Sequence, residues 1–99
     1  MAKADFFEIW QTIIGLQGEE FHTKSGLPFT FTVKSNVLTT SRTIYNISKK
    51  EFEKAYSLMP LRGPGEINDK VRGPAYVYAI LIDPRVANGG HITSGSNSD

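Results

Sequence analysis

The sequence predicts a small α+β domain: an N-terminal helix, a three-stranded antiparallel meander, a capped helix and a final short buried element. Three observations predict it. Apolar residues near the N-terminus recur every three or four positions, which is a helical stripe. Phe21, Phe29, Phe31 and Val33 alternate with His22, Thr30, Thr32 and Lys34, the period of two that a half-buried sheet requires. Ser48-Lys49-Lys50-Glu51 then opens a second stripe with the spacing of a capping box.

In chain order, Phe6, Ile9, Trp10, Ile13 and Ile14 line one side of a helix expected from Asp5 to Leu16. Asp5 and Glu8 suit the positive end of its dipole, and Gly15 or Gly18 supplies a left-handed cap at the other end. Glu19 to Thr23 reads as the first strand and Lys24-Ser25-Gly26-Leu27 as a turn. Pro28 lacks the N–H that a central ladder needs, so it marks the start of the second strand, which runs to Lys34. Ser35-Asn36 makes a tight turn into a third strand, Val37 to Thr40. This strand is short and polar, and reads as a sheet edge able to accept a partner strand. Thr39 to Thr43 reads as an exposed strand end and loop.

Ile47 and Phe52 hold the positions of a hydrophobic staple around the capping box. Phe52, Ala55, Tyr56 and Met59 form the buried stripe, and Pro60 closes the helix. Leu61 to Gly73 is a glycine- and proline-rich loop with one helical turn near Glu66 to Lys70. It lacks the Lys-Ser/Thr ending of a phosphate loop. Pro74 to Ile82 is apolar throughout, so periodicity does not separate helix from strand. Pro74 at a first helical position and Asp83-Pro84 as a stop favour a helix, the β-branched and tyrosine content favours a strand, and the helix is preferred. The expected core is Phe6, Ile9, Trp10, Ile13, Phe21, Phe29, Phe31, Val33, Phe52, Ala55, Tyr56, Met59, Val77, Ile80 and Leu81. Residues 1–87 make one domain, and the small polar residues of 88–99 are expected to form a flexible tail.

The chain has no cysteine, hence no disulfide and no thiolate ligand. Its longest apolar run, Ala75 to Ile82, is far below the roughly 20 residues of a membrane span. The N-terminus lacks the features of a secretory signal, so a cytoplasmic protein without membrane contact is expected. His22 and His91 are the only histidines, one on a strand and one in the tail, a poor start for a catalytic dyad or a metal site. Glu51 and Glu53 diverge on a helix, and Glu66 with Asp69 reads as a solvated loop pair. No catalytic residue, metal site or cofactor is predicted, and an enzyme is disfavoured.

Charge is uneven. The net charge is +1, yet residues 1–20 hold four acids against one lysine, while residues 21–50 hold Lys24, Lys34, Arg42, Lys49 and Lys50 and no acid. Phosphate is contacted by such cations, by Ser and Thr hydroxyls and by amides at helix N-termini. The predicted site is therefore Lys24, Lys34, Arg42, Thr43, Lys49 and Lys50, binding the DNA or RNA backbone with little base specificity. The order helix, three strands, helix resembles the double-stranded-RNA-binding domain, and Ser48-Lys49-Lys50 with Ala55 is similar to the start of that family's second helix, which implies phosphate contacts there. Phe52 and Glu53 stand where that family carries small and basic residues, and Lys24 to Pro28 lacks its Gly-Pro-x-His type pattern. The alternative is a non-catalytic interaction or assembly module that pairs with a protein partner or a second copy. It would use the third strand or a patch of Tyr45, Tyr76 and Tyr78. A helix-turn-helix over 48–82 ranks below both, because its reading helix would be apolar.

Overall fold

A computed structural model describes residues 5–42 and 46–87. It is an α+β fold. Helix α1 (Phe6–Gly15) is followed by five short strands, β1 (Phe21–His22), β2 (Pro28–Phe29), β3 (Phe31–Lys34), β4 (Val37–Thr40) and β5 (Asn46–Ser48). Helix α2 (Lys49–Ser57), a 3-10 turn (Pro64–Ile67), helix α3 (Pro74–Ile82) and a last helical turn, α4 (Pro84–Ala87), complete it. The expected tail, 88–99, lies outside the described residues.

The strands do not form the expected single meander. β1 and β2 make a two-stranded hairpin, with Phe21 opposite Phe29, and β3, β4 and β5 make a separate antiparallel sheet in sequence order. The run from Pro28 to Lys34 changes partner at Thr30. Its carbonyl accepts the Ser41 amide at 2.9 Å, and its own N–H donates to the Ser41 hydroxyl at 3.0 Å. Alternation survives the switch, so Phe29 and Phe31 are both buried. The third meander strand is Asn46–Ser48, which pairs Leu38 with Ile47 and Val37 with Ser48. β4 is thus the central strand, and the expected open edge at Val37–Thr40 is corrected. Thr40, expected to be exposed, is buried.

The free side of β3 is occupied as well. The Phe31 carbonyl accepts the Gly18 amide at 3.0 Å, and the Val33 amide donates to Gln17 Oε1 at 2.8 Å. The loop leaving α1 therefore covers the backbone groups that would otherwise template a further strand.

The helices close the core. α3 is a helix, as preferred; Val77 to Leu81 are all buried, because it packs against α2, α4, the 3-10 turn and β1. Two aromatic groups fill the interior: Phe6, Trp10, Phe52 and Tyr56 between α1 and α2, and Phe21, Phe29, Phe31 and Tyr76 under the strands. Phe6, Val33, Tyr56 and Met59, expected in the core, are only partly buried. Leu38, Ile47, Ile67, Val71, Tyr78, Ala79 and Val86 join it instead. The helical turn expected at Glu66 to Lys70 begins two residues earlier, where Pro64 presets the backbone.

Asp83-Pro84 stops α3 and also starts α4: the Asp83 carbonyl accepts the Val86 and Ala87 amides at 2.8 and 2.7 Å. Arg85 then ties this turn to β1. Its guanidinium lies 4.2 Å over the Phe21 ring, donates to the Glu20 carbonyl at 2.8 Å and forks onto both Asp83 oxygens at 3.0 Å. Burial alone would raise the Asp83 carboxyl, but the hydrogen bonds from the Arg85 side chain and amide, with its charge, hold it below its ordinary 3.8. A carboxyl lowered by folding contributes stability above its unfolded value and loses that contribution as pH falls through the folded one. Arg85→Ala is expected to lower the melting temperature at pH 7 by roughly 4–8 °C, about 1 kcal/mol for a half-exposed ion pair with added ring contact. The gap from the parent protein should narrow as pH falls below 3.8. A gap constant from pH 7 to about pH 2 would show that only packing was lost.

Candidate nucleic-acid interface

The predicted cations fall into two groups. Lys24 and Arg42 are engaged around the β1–β2 hairpin. Lys24 Nζ donates to the Arg62 carbonyl at 3.3 Å and lies 2.9 Å from where a Cβ on Gly63 would sit. Arg42 Nη1 donates to the Pro28 carbonyl at 3.4 Å. Thr43 lies outside the described residues.

Lys34, Lys49 and Lys50 gather at the other end of the β3–β4–β5 sheet. Lys34 is opposite Val37, and Val37 is opposite Ser48, so these three residues form one row across the sheet. Ser48 is the N-cap of α2, which places Lys49 and Lys50 just beyond that row. Between the Ser35-Asn36 turn and the start of α2 runs an open groove of about 460 Å³, lined by Ser35, Asn36, Val37, Ser48, Lys49, Lys50 and Glu53.

The local sequence explains the shape. Ser35 and Asn36 both have positive φ, 54° and 63°, which makes the reversal that a two-residue hairpin needs. Asn36 is anchored twice: its carbonyl accepts the Lys49 amide at 2.9 Å, and its Oδ1 accepts the Trp10 indole N–H at 3.1 Å. The first amide of α2 is thereby satisfied by the turn.

The capping box is not formed. Ser48 is the cap residue, with extended backbone, but makes no side-chain capping bond, and Glu51 Oε1 instead accepts the Arg72 amide at 3.1 Å. The long-range partner reaches Glu51 from the loop before α3 and takes it away from the helix start. The staple half of the motif is present, since Ile47 and Phe52 are both fully buried. The consequence for the groove is chemical. The amides of Lys50 and Glu51 have no side-chain cap, and Lys49 and Lys50 stand beside them, with Glu51 in the first turn and Glu53 on the groove wall. A helix start in this condition attracts anions.

Of the lining residues, Ser35, Asn36, Val37, Ser48 and Glu53 were not predicted as site residues. The tight-turn pair was legible, but nothing local says that it would meet the second helix. On the β3–β4 sheet, Thr30, Thr32, Thr39 and Ser41 border a smaller depression of about 180 Å³. Thr39 Oγ1 donates to Asn46 Oδ1 at 3.1 Å. Among the described residues, no group of three or more His, Cys, Asp or Glu side chains is placed to hold a metal ion, and no helix is long and apolar enough to cross a membrane.

No protein-family model matches the chain, and no curated protein or solved structure matches it. With five strands in two sheets, its element order also departs from that of the double-stranded-RNA-binding domain.

Proposed function

We propose that this domain binds the sugar–phosphate backbone of nucleic acid in the groove between the Ser35-Asn36 turn and the start of α2, with little base specificity. One observation carries the reading. The start of α2 has no side-chain cap, and Lys49 and Lys50 flank it in an open groove, with Lys34 on the same sheet row as the cap residue Ser48. Lys34, Lys49 and Lys50 supply the charge, while Ser48 and the Lys50 and Glu51 amides supply directed donors. Arg42 extends the contact towards the far end of the sheet, and Lys24 contributes field rather than touch. The cysteine-free composition agrees with a cytoplasmic setting.

The test is a titration of fluorescent duplex and single-stranded oligonucleotides at several salt concentrations. Each neutralised phosphate releases counterions, so three lysine contacts give a log–log slope of roughly −2.7 on duplex DNA. Affinity should then fall about 40-fold between 50 and 200 mM salt, from a micromolar to hundred-micromolar range typical of non-specific binding. Absence of binding to any oligonucleotide at low salt and high protein concentration overturns the reading and leaves the groove to a protein partner or a second copy.

A further inference from the structure

We infer that Asn36 couples occupancy of this groove to the seating of α1, through its hydrogen bond with Trp10; the inference rests on the nucleic-acid reading above. Asn36 lies between the groove and the indole of Trp10. On one side is the groove, which it lines and whose helix start it holds by accepting the Lys49 amide at 2.9 Å. On the other is the indole of Trp10, 1% exposed, whose N–H reaches the Asn36 side chain across 26 residues at 3.1 Å.

Trp10 is itself set by packing on Phe52, ring to ring at 5.5 Å, and Phe52 belongs to the same α2 whose first turn forms the groove wall. The bond therefore closes a loop of contacts: α1 through Trp10 to the turn, the turn to the start of α2, and α2 through Phe52 back to Trp10. A phosphate held by Lys49, Lys50 and the helix start restrains the Ser35-Asn36 turn, and that restraint reaches the indole. By linkage, a well-seated indole strengthens phosphate binding by the same factor. The side-chain amide is suited to this place. It tolerates positive φ, offers Oδ1 to the indole and leaves its NH₂ group with no partner among the described residues.

The experiment uses Asn36→Gly and Trp10→Phe in the full chain. Asn36→Gly removes the acceptor at a position where glycine adopts φ +63° without strain. Trp10→Phe removes the donor and keeps an aromatic ring in the core. Each variant should bind a duplex oligonucleotide about three- to ten-fold more weakly than the parent with an unchanged salt slope, because no cation is lost. The double variant should be no weaker than the weaker single one.

A purely structural bond would not move a second readout. Trp10 is the only tryptophan, so its emission reports the indole alone, and saturating duplex should shift it in the parent chain but not in Asn36→Gly. Full affinity in both single variants, or additive losses in the double variant, overturns the coupling while the binding reading stands. A parent chain that binds no oligonucleotide overturns both.

Discussion

Phe31→Ala is expected to cost about 3–5 kcal/mol and to lower the melting temperature by roughly 15 °C or more. Phe31 is 1% exposed and opens β3, opposite Thr40, with its ring 5.2 Å from that of Phe21. It is where the two sheets meet in the core, since Phe21 belongs to the hairpin and Phe31 to the meander. The Phe31 carbonyl holds the Gly18 amide and the Thr30 carbonyl holds the Ser41 amide, so the backbone here is fixed and resists collapse into the cavity that alanine leaves. Denaturant unfolding monitored by circular dichroism measures it: the midpoint should fall at constant slope. A native-like midpoint would mean that the side chain does not bridge the sheets.

Charge reversal at two lysines, Lys34→Glu with Lys49→Glu, is expected to reduce affinity for a duplex oligonucleotide by more than about 100-fold and to flatten the salt slope by roughly 1.8. Lys34 is exposed on the sheet and Lys49 is half-buried at the first position of α2, where a glutamate suits the helix dipole. The fold should therefore tolerate both changes, and unfolding curves for the variant should overlay those of the parent to within about 1 kcal/mol. Equal reversal at Lys24 serves as the contrast. Its ammonium is spent on the Arg62 carbonyl, so the loss of binding there should be several-fold smaller. Retained affinity in the Lys34 and Lys49 double variant would show that any binding occurs elsewhere on the surface.

The three long helices were legible in the sequence because each carries a signal within itself: the stripe of Phe6 to Ile14, the staple of Ile47 and Phe52, and the unbroken apolar run after Pro74. The faces of Phe21, Phe29 and Phe31 were legible for the same reason, since alternation is local. What was not legible depends on partners far along the chain. The division of 28–34 into two strands follows from Thr30 meeting Ser41, and β5 follows from Ile47 meeting Leu38. Ile47 fits the staple position by local spacing, yet it serves both the sheet and the helix start. Ser48 and Glu51 had the spacing of a capping box, but an amide at Arg72 draws the carboxylate away. The groove was half legible: the positions of Lys49 and Lys50 at a helix start could be read, whereas the Ser35-Asn36 turn beside them could not be placed. The two-way division of the cations was hidden because it depends on which carbonyls Lys24 and Arg42 reach.

Helix α3 has a consequence for how the polypeptide must be made. Five consecutive residues, Val77 to Leu81, are buried, so this stretch has no water-facing side on which to wait. Before residue 82 has left the ribosome, the surfaces of α2, β1 and the 3-10 turn that receive it lie open. A nascent chain ending at Gly73 therefore has its amphipathic pieces without the rod that they surround. The sticky interval of biosynthesis lasts until the last tenth or so of the domain emerges. Proteolytic removal of that segment from the mature protein should return it to the same aggregation-prone condition.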